Sequence, residues 1–212
     1  MIEATASPSP FRVALTFDAE HPDRPYEAGV TARILDALAD ASVPAAFFLQ
    51  GRWVESEPGL ARRVAEDGHL VGNHSHHHAR MTLLSRSGLR TDVLKAQRAI
   101  VEATGVDPRP WFRCPFGAGA ASRRVLDGLA SAGYRDVNWD VDSRDWGTKT
   151  ARGLERRVVR MTLEAGDGAV VLLHGWPPST PAALPGIIRR LRDGGASFVR
   201  LDGLPAFSQP DA

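Results

Sequence analysis

Cysteine is almost missing from this 212-residue chain. With Cys114 alone, no internal disulfide can form, and stability has to come from a packed core. Lysine is scarce as well: Lys95 and Lys149 are the only two, so the 26 basic residues are nearly all arginine, a compositional bias rather than a site. Neither sign of charge dominates, and 26 basic against 25 acidic residues leave a net charge of +1. That balance gives no argument for nucleic acid or a membrane as partner. No apolar run approaches the roughly 20 residues that span a bilayer. The opening MIEATASPSPFRVALTF has no charged segment followed by an apolar one, so no export signal is read in it and a cytoplasmic location is expected. There are no internal repeats. Residues 1–10 read as a flexible N-terminus, 11–204 as one domain and 205–212 as a polar tail.

What remains is an ordinary globular composition, 43% hydrophobic and 24% charged, at a length compatible with one domain. Short apolar runs alternate with helical patterns. Strands are expected at 11–17, 44–49, 69–74, 110–116, 134–142, 168–174 and 197–201. Helices are expected at 31–41, 58–67, 89–104, 122–132, 151–165 and 182–194, several of them stopped by a glycine. Strand then helix, repeated about seven times without a linker, argues for a single parallel-stranded α/β domain. Asp18, His74, Arg113, Asp142 and His174 all fall at expected strand ends, where such folds build their sites.

Four of the seven histidines crowd into GNHSHHHARM, at 74, 76, 77 and 78. A zinc-type site takes about three protein ligands, so some of the four do something else. His74 and His78 are spaced i, i+4, which brings two imidazoles to one side of a helical turn or tight loop. His74 with His77, at i, i+3, satisfies the geometry too. Ser75 is placed to brace the loop, and the remaining histidines read as spacers facing away, towards a substrate rim. A carboxylate has to complete the set, and TFDAEHPDRP offers Asp18 and Glu20 beside His21. On an extended backbone, residues two apart point to the same side, so both carboxylates can enter one site.

Taken together and in order, these stretches resemble the polysaccharide deacetylases of the NodB-homology type, family-four carbohydrate esterases. TFDAE matches the family's TFDDG, HSHHH its H-S/T-x-x-H, RCPF its R-x-P-F/Y, DSRDW its D-x-x-D-W and VLLH its L-x-L-H. The resemblance implies a distorted (β/α) barrel of about seven parallel strands and metal-dependent removal of an acyl group, usually acetyl from an N-acetylated sugar. Carried over residue by residue, it implies that Asp18 is the base and that His74 and His78 bind the metal. Arg113 would pair with Asp18, and Asp145 would orient His174, the general acid. Trp146 and Leu172 would line a pocket for the acyl methyl, and the Phe116 N–H would stabilise the oxyanion. One position departs: the family's second aspartate, a metal ligand, corresponds to Ala19. Either Glu20 takes over as ligand, or His21 does, or the metal is lost.

The expected cofactor is a divalent metal, zinc first, with cobalt or another ion as options. The expected substrate is a carbohydrate, polymeric or a small acylated metabolite. Two histidines and a carboxylate also describe non-haem iron oxygenases, which need no distant Asp–His pair. The remaining alternative, motivated by Ala19, is a carbohydrate-binding pseudoenzyme. Trp53, Trp139 and Trp176 are candidates either for stacking on sugar rings or for the core. Cys114 is expected to be a small residue near the site with no covalent role.

Overall fold

A computed structural model describes residues 10–21 and 27–207. Most of the expected flexible N-terminus and the last five residues of the expected tail lie outside them. The central strand, β1 (Phe11–Ala19), is buried from Val13 onward, and its near-continuous apolar run is that of a parallel strand covered on both faces. Its side chains alternate. Val13, Leu15, Phe17 and Ala19 pack outward with the helices, while Ala14 packs inward with Ala46, Phe48 and Val170.

β2 (Ala46–Leu49), β3 (Leu70–Asn73), β4 (Trp111–Phe112) and β5 (Arg135–Asp136) extend the sheet on one side of β1; β7 (Ala169–His174) and β6 (Val141–Asp142) extend it on the other. The path is β5-β4-β3-β2-β1-β7-β6, every pairing is parallel, and β8 (Ala196–Phe198) adds to the start of β1. Between the strands run α1 (Val30–Asp40), α2 (Gly51–Ser56), α3 (Pro58–Glu66), α4 (Arg86–Thr104), α5 (Arg123–Ser131), α6 (Ala151–Ala165) and α7 (Ser179–Asp193). The expected single-domain α/β barrel of parallel strands is what forms. Among the described residues, no helix is long and apolar enough to cross a membrane.

The expected strand over 134–142 is instead two, β5 and β6, at opposite ends of the path. Only residues 137–140 join them, a link that reaches roughly 15 Å at full stretch. Laid flat, the seven-strand path would separate its ends by about 29 Å, so the sheet must curl until its edges lie within that reach. The link bonds to the strand inside each edge: Val137 N–H donates to Phe112 O on β4, and Asp140 N–H to Val170 O on β7. The expected extended run over 110–116 is likewise shortened, because Pro115–Gly117 turns out of the sheet with Phe116 at φ 60°. At the far end of the barrel, Leu201 and Leu204 plug the interior. Phe207 joins them there, its ring against Trp111 and its carbonyl accepting from Arg135.

Candidate active site

Because all strands are parallel, their C-terminal ends share one rim, and the polar residues at those ends converge there. They floor a cleft of about 370 Å3 containing Asp18, Glu20, His74, His78 and His174, walled by Phe116, Trp139, Asp142, Trp146, Leu172 and Trp176.

Glu20 continues the inward face of β1 two residues after Asp18. Its Oε2 lies 2.5 Å from His78 Nε2 and 3.3 Å from His74 Nε2. One ligand atom from each of the three falls within 4.8 Å of the others. Among the described residues, Glu20 Oε2 and His74 Nε2 are buried and make no hydrogen bond of good geometry, close as the imidazoles lie, and buried polar atoms are rarely left so. Two imidazole nitrogens and a carboxylate oxygen facing one point are donors of the kind that hold a divalent metal. His74 Nδ1 meets the Arg113 carbonyl at 2.9 Å, an outer contact that fixes the ring and leaves Nε2 for the ion. Burial alone would raise the Glu20 carboxyl, but the imidazoles of His74 and His78 hold it well below the usual carboxylate range. Burial opposes charge on His74, and Asp18 and Glu20 outweigh that and raise its pKa. Without a metal, this cluster therefore retains a proton that an ion would displace.

The histidine run is a tight loop, not a helix. Ser75 and His78 both take positive φ, 63° and 56°, conformations that a non-glycine residue holds only under constraint. The constraints are local. Ser75 Oγ accepts the His78 N–H at 2.9 Å, and Asn73 Oδ1 accepts the Ser75 N–H at 2.9 Å. From below, the buried Asp92 accepts the N–H groups of His76 at 2.8 Å and His77 at 3.1 Å. The ring of His76 is buried against α2, so close that a Cβ on Gly51 would lie 2.3 Å from its Nδ1. His77 is exposed on another face. Neither reaches the substrate rim expected for them, because the loop reverses direction between His74 and His78.

Asp18 is buried, with Oδ1 accepting from Arg113 NH1 at 2.9 Å and Oδ2 at 3.5 Å from His74 Nε2. Arg113, itself buried, also donates Nε to the Val137 carbonyl and stacks its guanidinium 4.1 Å from the Phe48 ring centroid. Across the cleft, Asp145 Oδ1 lies 2.7 Å from His174 Nδ1, while its Oδ2 accepts from the His174 N–H and from Thr180 Oγ1. Burial works against a charge on His174, but Asp145, with Glu20 and Asp18 behind it, raises its pKa to about 9.

The expected site residues Asp18, Glu20, His74, His78, Phe116, Trp146, Leu172 and His174 thus share one cleft, with Arg113 and Asp145 directly behind it. Trp53 does not reach it and packs in the outer core. His21 turns its ring to Ser56 Oγ, away from the trio. Ala19 is fully buried in the outer apolar cluster. Cys114 is buried, which pushes its thiol pKa up and leaves it inert. Sequence reasoning missed Asp92, Thr180 and the contact of Trp176 Nε1 with Glu20 Oε1 at 3.2 Å. For Asp92 a signal existed: it is an acid on the buried stripe of α4, among Leu89, Val93, Ala96 and Ile100.

Known proteins resemble this chain in sequence and fold. A family model described as polysaccharide deacetylase matches residues 5–137. The peptidoglycan-N-acetylglucosamine deacetylase PgdA of Listeria monocytogenes is 36% identical over 193 residues, which are 91% of this chain and 38% of that protein. The chain therefore spans well under half the length of that relative. A family 4 carbohydrate esterase from Streptomyces lividans, solved in complex with acetate, has a TM-score of 0.77 at 32% identity, covering 89% of this chain and 91% of its own. A family 4 pseudoenzyme from Bacillus anthracis has a TM-score of 0.81 at 31% identity, covering 93% of this chain and 66% of its own.

Proposed function

The chain belongs to the polysaccharide deacetylase family, and on that premise we propose that it hydrolyses the acetyl group of an N-acetylated sugar or related glycan with a divalent metal, Zn2+ by its donor set. One observation supports the reading above others: the buried, unsatisfied Glu20 Oε2 and His74 Nε2 face the same cleft as the His174–Asp145 pair. A metal held by Glu20, His74 and His78 supplies Lewis-acid polarisation of the acyl oxygen and lowers the pKa of water.

The rest is done by the chain. Arg113 occupies Asp18 Oδ1, so Oδ2 is the oxygen left to take a proton from the attacking water. Asp145 occupies His174 Nδ1, so the proton for the departing nitrogen comes from Nε2. That proton is essential, because an amide anion is a very poor leaving group. At a pKa of about 9, His174 carries it through neutral pH. Leu172 and Trp146 line the cleft where the acyl methyl would sit, and the Phe116 N–H is the donor for the oxyanion, a type of contact often worth about 3 kcal/mol.

The test is acetate release from a panel running from mono-N-acetylated sugars to chitooligosaccharides, after chelation and after zinc or cobalt is added back. Metal-dependent acetate from at least one member is expected; none from any would overturn the proposal. A carbohydrate-binding pseudoenzyme is the competing reading, favoured by Ala19 and by the Bacillus anthracis neighbour. A binder needs neither a base nor an acid, so retention of Asp18 with Arg113 and of His174 with Asp145 favours the hydrolase.

A further inference from the structure

We propose that Trp176 is a positioning residue for Glu20: its indole N–H holds one carboxylate oxygen and thereby aims the other at His74 and His78. The inference rests on reading these three residues as a metal site and explains how a glutamate serves there. Glutamate has one more side-chain torsion than aspartate and more rotamer freedom to lose when fixed. A glutamate ligand therefore needs an external constraint.

The constraint is visible on both sides of the residue. Its backbone is pinned by Gln50, whose N–H donates to the Ala19 carbonyl and whose Oε1 accepts the His21 N–H, both at 2.9 Å. Its side chain is divided: Oε1 accepts from Trp176 Nε1 at 3.2 Å, and Oε2 lies against the two imidazoles. Trp176 is itself buried, and the residue before it is locked. Gly175 N–H donates to the Asp18 carbonyl, and Thr31 Oγ1 donates to the Gly175 carbonyl, both at 2.9 Å. A Cβ on Gly175 would stand 3.0 Å from Thr31 Oγ1 and 3.4 Å from Ala19 Cα, so the end of β7 packs directly against β1. The tripeptide His174-Gly175-Trp176 thus carries the proton donor and the brace for Glu20 on one rigid segment. Partners that orient ligands in this way typically control metal affinity by 10- to 100-fold, on general experience with outer contacts (about that range).

Two measurements on the full chain test it, with Trp176→Phe keeping an aromatic ring and deleting only the donor. In the chelated protein, the indole N–H resonance that vanishes in Trp176→Phe identifies Trp176. Glu20→Ala should move that resonance upfield by removing its acceptor; an unmoved resonance overturns the proposal whether or not metal binds. In zinc titrations against a chromophoric chelator, Trp176→Phe should raise Kd roughly 10-fold or more and add nothing in the Glu20→Ala background. Unchanged affinity, or the same loss in both backgrounds, overturns it. A wild-type chain that binds no zinc at all would instead sink the metal reading of the proposed function, and the indole resonance would still decide the hydrogen bond.

Discussion

Asp18 and His174 are register partners, directly opposite each other on the paired parallel strands β1 and β7. Register partners on one face are held about 4.8 Å apart by the backbone ladder, so the proposed base and acid are set relative to each other by the sheet itself. Each then leans on a partner from elsewhere, Asp18 on Arg113 and His174 on Asp145.

The acid side should show in the pH profile. His174 needs its proton, so activity should persist through neutral pH and fall as pH rises through about 9. Asp145→Asn removes the charge that raises this pKa and leaves the burial that lowers it, so the alkaline limb of kcat/KM should move to lower pH. His174→Ala should cost roughly 10²- to 10⁴-fold in kcat. The same linkage acts on stability: a raised folded pKa stabilises the fold fully below the unfolded value near 6.5, and the gain is lost as pH climbs towards about 9. An alkaline limb that stays in place in Asp145→Asn would remove His174 from the role of acid.

Metal content should depend on Glu20. Glu20→Ala should lose zinc by more than the roughly 10- to 100-fold that follows loss of an outer partner, read by metal analysis after dialysis. Wild-type affinity should rise with pH, because binding must displace the proton that the raised His74 pKa retains beside the ionised Glu20. Full occupancy in Glu20→Ala would refute the ligand assignment.

Arg113 is a stability prediction. Arg113→Leu leaves Asp18 buried without its cation, and breaking a buried pair from one side typically costs about 3–5 kcal/mol. Urea unfolding of the variant against wild type measures it. A loss below about 1 kcal/mol, the level of a surface pair, would contradict the buried geometry.

Asp92→Ala should release the histidine loop by leaving the N–H groups of His76 and His77 without their acceptor. Zinc affinity should fall by about 10- to 100-fold, while far-ultraviolet circular dichroism stays that of the wild type. Asp92→Glu, which keeps two acceptor oxygens, should recover part of the affinity.

Much of the site was legible because chemistry-bearing residues sat where apolar runs ended: TFD, GNH and VLLH each announce a strand and then a functional side chain. The two-residue period of β1 was enough to put Glu20 beside Asp18. Other features were not legible, for physical reasons. YRDVNWDVD alternates like one strand, and nothing local says that its halves belong to opposite edges of a curled sheet; closure decides that. The loop that puts Ser75 and His78 at positive φ is held from below by Asp92, sixteen residues beyond His76 and on α4. The role of Trp176 depends on β7 lying against β1, which no spacing encodes. The helix expected over 182–194 starts three residues earlier, at Ser179; Pro181 lies in its first turn, where a proline costs a helix no hydrogen bond.

The link over residues 137–140 closes the barrel covalently, where a complete barrel would use a ladder of paired strands. A ladder fixes spacing at one value; a tether fixes only a maximum. Trp139 rides on this tether, and Asp142 and Trp146 follow just after it on the same wall. One end of the tether is tied to the floor, because the Val137 carbonyl accepts from Arg113 Nε and Arg113 holds Asp18, so the mouth of the cleft can be retailored at residues 138 and 139 and not at Val137. In this fold the gauge of the opening and the chemistry beneath it meet at one residue, Val137.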